Sequence, residues 1–177
     1  MKKRCEKMEN KTIAVIYKSV TGNTKLLAEA IAESFGENVI YTGEPKDGLK
    51  ADFYFIGSWT DKGKCCQEIE DFLKTLDKQK FAYFGTAGFG GSPEYYRVLA
   101  ERVKDLCPDT CEMTESFFCQ GRMPAGVRDR YVAMLQEHPD DKKLEASIKN
   151  FDEAQSHPDR TDLKNVCDWA MKAAEMR

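Results

Sequence analysis

Short runs of apolar residues alternate along this chain with stretches in which apolar residues recur every three or four positions. The first run, residues 12–17, is β-branched and apolar, as in a strand that is buried on both faces of a parallel sheet. After a short polar loop, Leu27, Ile31 and Phe35 recur every four residues and predict the buried face of a helix. Gly36 favours the end of that helix. These stretches predict a strand, a loop and a helix in succession.

The same alternation continues toward the end of the chain. Further strand-like runs occur at residues 38–42, 51–57, 80–85 and 116–119. Further helical patterns occur at residues 69–76, 96–106 and 160–174. Strands that alternate with helices at this spacing favour a parallel sheet with right-handed crossovers. We therefore predict a doubly wound α/β fold with a five-stranded parallel sheet, helices on both faces, and ligands at the carboxyl ends of the strands.

A long segment separates the fifth predicted strand from the last helix. Residues 122–157 carry two weaker helical patterns and are too numerous for a plain connection. We predict a helical insertion after strand five. At the other end of the chain, residues 1–11 carry five positive and two negative charges without apolar periodicity, which predicts a mobile basic tail. One domain is expected over residues 12–177.

The composition narrows the classes of protein to which the chain can belong. Its 177 residues are 41% hydrophobic and 32% charged, which excludes intrinsic disorder and fibrous repeats. A formal net charge of -3 gives no general attraction for nucleic acid. The longest early apolar run is shorter than the core of a signal peptide or a membrane span. We therefore expect a cytoplasmic protein with no nucleic-acid partner and no membrane partner.

The seven cysteines and two histidines do not follow the spacing of a zinc site or a disulfide framework. We expect reduced and mostly structural thiols and no metal site. The adjacent Cys65 and Cys66 offer an alternative as a redox pair, but a disulfide between sequence neighbours is strained. His157 precedes Pro158 and is expected to shape a turn rather than to transfer protons.

The polar loop between the first strand and the first helix is the strongest candidate for a binding site. Successive backbone N–H groups and the positive end of the helix dipole favour an anion at this place. Three hydroxyl groups can donate to phosphate oxygens, and Gly22 permits a tight turn. The loop lacks the lysine of triphosphate-binding loops, so a terminal monophosphate fits better. The alternative is that these side chains only cap the helix. The loop residues are Ser19, Val20, Thr21, Gly22, Asn23 and Thr24.

These six residues match the S/T-x-T-G-x-T loop of the flavodoxin family, which the chain resembles. Two further signatures of the family follow in order. Gly57, Thr60 and Gly63 fit the loop after the third strand, and a glycine-rich turn at residues 86–91 follows the fourth. The resemblance implies a flavodoxin-like sheet with strand order 2-1-3-4-5. It also implies that FMN is the cofactor, with its phosphate bound at residues 19–24.

The chain is most similar to a flavodoxin-like group, found in anaerobic bacteria, that carries four additional motifs. Here these motifs are G-x-W-x-D-K-G at residues 57–63, F-G-T-x-G at 84–88, F-x-C-Q-G at 117–121 and S-H-P at 156–158. The resemblance implies binding of the flavin by residues of the loops after strands three and four. These additional residues are Ser58, Trp59, Thr60, Gly63, Thr86, Ala87, Gly88, Phe89 and Gly91.

An isoalloxazine ring needs flat apolar walls and exclusion of water. Trp59 is the best candidate for one wall, because an indole in a polar, glycine-flanked loop has little core to join. Phe89 is a weaker candidate. The tyrosine that stacks on the flavin in many flavodoxins has no clear match in residues 86–91. The second face of the ring is therefore expected to be open or covered by the insertion at residues 122–157.

Charge near the flavin is expected to affect its redox potential. Asp61, Lys62 and Lys64 lie beside Trp59 in the sequence, and Lys18 precedes the phosphate loop. Positive charge there favours the reduced, anionic flavin and makes the potential less negative than in strongly acidic flavodoxins. The alternative is that these lysines extend into water and have little effect.

Three functions are compatible with these features. The leading hypothesis is an electron carrier whose FMN accepts reducing equivalents from a reductase and passes them to a partner enzyme. The second is a flavin-dependent NAD(P)H oxidoreductase that acts on a small acceptor, with the insertion forming part of a substrate pocket. The third is an interaction module without FMN. No dedicated nicotinamide site is visible, because the glycine-rich run at residues 88–93 ends in proline and follows the wrong strand. No catalytic residue is assigned.

Overall fold

The first strand, loop and helix form as the apolar pattern predicts. In the computed structural model, which describes residues 11–175, β1 spans Ile13–Lys18 and α1 spans Asn23–Phe35. Leu27 and Ile31 are fully buried, and Gly36 ends the helix with a φ of 52°. The predicted basic tail at residues 1–11 lies outside the described residues except for Lys11.

The remaining elements follow the predicted alternation of strands and helices. After a short 3-10 turn at Gly36–Asn38, the strands are β2 (Val39–Gly43), β3 (Phe53–Asp61), β4 (Lys64–Cys65), β5 (Lys80–Ala87) and β6 (Glu112–Gln120). The helices are α2 (Gln67–Lys74), α3 (Pro93–Lys104), α4 (Ala125–Glu137), α5 (Lys142–Ala154) and α6 (Arg160–Glu175).

The main sheet has the order β2-β1-β3-β5-β6, and all of its neighbouring strands are parallel. The two-residue β4 pairs only with β3 and is not part of this order, so β5 and β6 are the fourth and fifth strands of the prediction. The arrangement therefore confirms the predicted five-stranded sheet and its order 2-1-3-4-5. The strands are buried on both faces, and successive side chains alternate between them: Ile13 and Val15 face one helical layer, while Ala14 and Ile16 face the other. Helices α1 and α6 cover the first face, and α2 and α3 cover the second.

The structure adds a hairpin that the sequence pattern did not predict. β3 continues past Gly57 to Asp61, and its last residues pair antiparallel with β4. The two residues of the turn, Lys62 and Gly63, have φ angles of 49° and 81°. Two positive φ values at a two-residue turn are typical of a type I′ hairpin, whose twist matches that of the flanking strands. The turn therefore lets the polar end of β3 continue a buried strand.

The predicted insertion contains two helices, α4 and α5. Helix α4 has no buried residue, whereas α5 buries Leu144, Phe151 and Ala154. Arg128 of α4 donates two hydrogen bonds to the carboxylate of Asp152 on α5, at 2.7 and 3.2 Å. The two helices therefore stabilise each other, and α5 supplies the apolar contacts. Within residues 11–175, none of the helices is long and apolar enough to span a membrane.

Candidate functional site

A cleft of about 340 Å³ lies at the carboxyl edge of the sheet, where β1, β3, β5 and β6 end. The following predicted residues line it: Val20, Thr21, Asn23, Trp59, Thr60, Thr86, Ala87 and Gly88. The other predicted residues are not among its lining: Ser19, Gly22, Thr24, Ser58, Gly63, Phe89 and Gly91. The lining also includes four residues outside the predicted set: Gly121, which ends the F-x-C-Q-G motif, and then Arg122, Met123 and Pro124. No motif marks Arg122, Met123 or Pro124; their only signal is their position at the start of the insertion.

The loop after β1 presents free backbone donors to the cleft. Gly22 is the N-cap of α1 with a φ of 86°, a conformation that suits glycine. No side chain accepts a hydrogen bond at this helix start, so the capping alternative is wrong. The N–H groups of the first turn and the helix dipole thus remain available to an anion.

Two buried polar atoms beside this loop have no hydrogen-bond partner in residues 11–175. They are Ser19 Oγ and Asn23 Oδ1. Asn23 is only 3% exposed, and its Nδ2 donates to the Arg122 carbonyl at 2.9 Å. That bond fixes the orientation of the amide group and leaves Oδ1 without a hydrogen-bond donor. An unsatisfied buried polar atom costs about 1–3 kcal/mol, so both atoms indicate a place where a polar ligand supplies the missing partner.

The two buried threonines of the predicted site bind each other. Thr24 Oγ1 and Thr86 Oγ1 are 3.1 Å apart, and both side chains are at most 2% exposed. This hydrogen bond joins the start of α1 to the end of β5. The Thr24 hydroxyl is therefore engaged in holding the loop, whereas the exposed Thr21 lines the cleft and has a free hydroxyl.

The hairpin after β3 positions Trp59. Ser58 is fully buried; its Oγ donates to the Trp59 carbonyl at 2.7 Å and accepts from Cys66 N–H at 2.9 Å. At the hairpin turn, Arg102 donates to the Gly63 carbonyl at 3.1 Å. These contacts hold the hairpin in place, so Ser58 and Gly63 act on the cleft by positioning Trp59, which is half-buried and lines it. Trp59 also packs against the apolar core on the α2 side of the sheet, so the expectation that its indole has little core to join is wrong.

The turn after β5 is held by the insertion. The Gly88 carbonyl accepts hydrogen bonds from Gln120 Nε2 at 3.1 Å and from Asn150 Nδ2 at 3.0 Å. Phe89 is 45% exposed and does not line the cleft. Gly91 ends the turn with a φ of 83°, a conformation that favours glycine. The turn therefore presents Gly88 to the cleft and directs Phe89 toward solvent.

The charges around the cleft differ from the pattern suggested by the sequence. Lys18 is paired with Glu44 at 2.8 Å, and this hydrogen bond raises the pKa of the lysine. Lys64 is bonded to Glu70. Among the described residues that line the cleft, Arg122 is the one with a charged side chain. The positive charge at the cleft therefore comes from the insertion rather than from these two lysines.

The cysteines that the structure describes give no sign of thiol chemistry. All six cysteines in residues 11–175 are free. Burial raises the pKa of Cys65 to about 12 and also raises the pKa of Cys66. Both thiols are therefore protonated at neutral pH, which makes them poor nucleophiles.

The late S-H-P motif forms a braced turn at the start of α6. His157 Nδ1 lies 2.6 Å from Asp162 Oδ2, which also accepts the Asp159 N–H at 2.8 Å. Asp159 Oδ1 caps the helix by accepting the N–H groups of Thr161 and Asp162. His157, Asp159 and Asp162 are close enough to hold a metal ion, but their oxygens already accept these backbone hydrogen bonds. This geometry confirms that His157 shapes a turn.

Comparison with known proteins identifies the family. A sequence profile of the flavodoxin domain matches residues 14–170, and the chain therefore belongs to the flavodoxin domain family. The flavodoxin-like domain-containing protein BilS of Clostridium symbiosum (strain WAL-14163) is 36% identical over 169 residues, covering 85% of this chain and 89% of that protein. BilS of Clostridioides difficile (strain CD3) is 33% identical over 155 residues, covering 84% and 88%.

Solved flavodoxin structures share the fold. Oxidised flavodoxin 2 from Bacillus cereus aligns with a TM-score of 0.56 at 19% identity, covering 94% of this chain and 99% of that chain. A short-chain flavodoxin associated with a non-canonical PDU bacterial microcompartment aligns with a TM-score of 0.57 at 16% identity, covering 94% and 98%. At these identities the comparison concerns the arrangement of strands and helices.

Proposed function

We propose that this protein binds FMN in the cleft at the carboxyl edge of the sheet and carries electrons from a reductase to a partner enzyme. The observation that supports this most directly is the pair of unpartnered buried atoms, Ser19 Oγ and Asn23 Oδ1, beside an uncapped helix start. A phosphate with an attached polyol chain supplies acceptors for the free N–H and O–H groups and a donor for the amide oxygen. FMN carries both groups.

The residues around the cleft fit the separate parts of this cofactor. The N–H groups at the start of α1, with Ser19 and Thr21, would hold the phosphate. Trp59 would cover one face of the ring, and the small residues Thr86 and Ala87 would lie beneath its edge. When bound, FMN supplies transfer of one or two electrons, and these residues bind it, orient it and exclude water from its inner face.

Two exposed apolar side chains support docking of protein partners. Val20 is 70% exposed and Phe89 is 45% exposed, and they lie on the loops that follow β1 and β5. Both loops border the cleft. Exposed apolar residues around a binding site are common at protein interfaces. We propose that both redox partners contact this rim, where a short path leads to the flavin.

A second candidate function is a flavin-dependent NAD(P)H oxidoreductase. It is favoured by Arg122 and Met123, because these insertion residues line the cleft and could contribute to a substrate pocket. Against it, the cleft volume of about 340 Å³ lies at the low end of the range for ligand sites, roughly 300–1,000 Å³. A flavin ring leaves little space there for a second planar molecule.

An anaerobic reduction experiment separates these functions. The purified chain is loaded with FMN, and the visible absorption of the flavin is followed after addition of NADH or NADPH, first alone and then with a flavodoxin reductase. A carrier is reduced rapidly only when the reductase is present. Rapid bleaching by either nucleotide alone would favour the oxidoreductase, and failure to bind FMN would contradict both functions.

A further inference from the structure

Met123 lines the cleft and is held in place by contacts with its neighbours. It follows β6 by three residues, and its thioether packs on the backbone of Gly88, where an added methyl group would overlap the sulfur. The Met123 carbonyl accepts a hydrogen bond from Gln155 Nε2, just beyond α5, at 3.3 Å. Two residues earlier, the Gly121 N–H donates to the Ala87 carbonyl at 2.9 Å. The main chain around Met123 is thus fixed to β5 and to the insertion.

The register of the sheet sets the separation between β3, which carries Trp59, and β6, which precedes Met123. Trp59 on β3 is level with Thr86 on β5, and Ala87 is level with Gln120 on β6. Neighbouring strands are about 4.8 Å apart, so β3 and β6 are separated by about 9–10 Å. A flat ring in contact with a side chain on each face needs about 7–8 Å between the contacting atoms. The spacing of two strands therefore accommodates a ring that stands above β5.

The end of β5 leaves space between these two strands, apart from the place over Gly88 that Met123 fills. Thr86, Ala87 and Gly88 line the cleft there with small side chains or none. Gly88 cannot be enlarged, because its missing side chain provides the space taken by Met123. The aromatic residue of this turn, Phe89, is directed to solvent and does not line the cleft. No other side chain of the turn is large enough to cover the second face of a ring.

We infer that Met123 forms the second wall of the cleft and contacts the ring face opposite Trp59. This inference rests on the proposed function, and it assigns Met123 as the residue that holds the flavin ring against Trp59. A thioether is polarizable, adapts its shape, and makes favourable contacts with aromatic rings. The insertion thereby supplies the wall that the turn after β5 lacks.

Methyl NMR of wild-type protein tests the contact without any substitution. The chain is labelled with ¹³C at the methionine methyl groups, and spectra are recorded with and without FMN or riboflavin. The Met123 signal, assigned by its absence in Met123→Leu, is expected to shift upfield with both ligands because it lies over an aromatic face. Met134, an exposed residue of α4 that does not line the cleft, is the control. An unshifted Met123 signal in flavin-saturated protein would overturn the inference.

Affinity measurements provide a second test. We expect Met123→Ala to weaken both FMN and riboflavin binding about tenfold, Met123→Leu to retain most of the affinity, and Met134→Ala to have no effect. Equal affinities of wild type and folded Met123→Ala would contradict the inference while leaving the proposed function intact. Failure of the wild-type protein to bind FMN would instead contradict the proposed function, and the inference with it.

Discussion

The backbone N–H of Arg122 donates a hydrogen bond to the carbonyl of His157 at 3.0 Å. These two residues are the first and last of the predicted insertion, so helices α4 and α5 leave the fold and return to it at one point. The Arg122 carbonyl also accepts the side-chain N–H of Asn23 at 2.9 Å. The base of the insertion is therefore tied to the loop after β1, and it lies at the cleft rather than at a distant edge of the sheet.

Thr21 and Thr24 belong to one motif, but the structure predicts different effects of removing their hydroxyl groups. Thr21→Val should weaken FMN binding about 10- to 150-fold, since a hydrogen bond to a charged acceptor contributes ~1.5–3 kcal/mol. Riboflavin, which lacks the phosphate, should bind the variant as well as it binds wild type. Isothermal titration calorimetry with both ligands measures this, and an equal loss of affinity for the two would argue against a phosphate at Thr21.

Thr24→Val is the matched control for this loop. It removes the partner of the buried Thr86 hydroxyl, so we expect it to lower the free energy of unfolding by about 1–3 kcal/mol. Urea unfolding without flavin measures this change. Unaltered stability would show that the bond between the two hydroxyl groups contributes little.

Trp59 should quench the emission of bound flavin, because its indole lines the cleft. We expect Trp59→Ala to restore flavin fluorescence and to weaken FMN binding. Trp169, which packs in the core against Phe55 at a ring distance of 5.7 Å, provides a contrast, since Trp169→Phe should leave the emission of bound FMN quenched. Equal emission from wild type and Trp59→Ala at saturation would place Trp59 away from the flavin.

Arg122 is expected to raise the midpoint potential of bound flavin, because a positive charge stabilises the reduced, anionic cofactor. Arg122→Gln should lower the potential by a few tens of millivolts at low salt, and the difference should shrink as salt is added. Arg130→Gln, at an exposed position of α4, changes the net charge equally without altering the cleft. Spectroelectrochemical titration that gives the two variants the same potential would exclude a local effect of Arg122.

Glu70 should make the free energy of unfolding decrease as the pH falls into the acid range. It is 7% exposed, and hydrogen bonds from Lys64 and Lys74 lower the pKa of its carboxyl group. The unfolded chain therefore takes up protons first, near an ordinary glutamate pKa of about 4.3. The stabilisation is fully present above that pH, and it is lost as the pH falls through the lower pKa of the folded state.

Urea unfolding at a series of pH values tests this dependence. The loss of stability on acidification should be smaller in Glu70→Gln than in wild type, whereas Glu33→Gln, at an exposed position of α1, should follow the wild-type curve. Parallel curves for Glu70→Gln and wild type would contradict the prediction. Because Lys64 lies on β4, the same ion pair also ties the hairpin that carries Trp59 to helix α2.

The sequence by itself determined the layered fold. The fully apolar runs and the recurrence of Leu27, Ile31 and Phe35 reflect local burial, which is periodic along each element, and they located the strands and helices of the sheet. The loop at residues 19–24 could be assigned to a binding edge because parallel strands end on one side of a sheet. Residues 122–157 were identified as a helical insertion from their length and from two weaker helical patterns.

Only the tertiary structure decided which side chains reach the cleft. Thr24 and Ser58 fit a binding motif by type, but contacts with Thr86 and Cys66 engage their hydroxyl groups inside the fold. Met123 carries no sequence signal, because its role depends on the chain returning beside β5 after β6. Residues that are neighbours in the site are far apart in the sequence. The contacts of each side chain depend on how helices and strands pack against one another, and the local pattern of apolar residues carries no information about that packing.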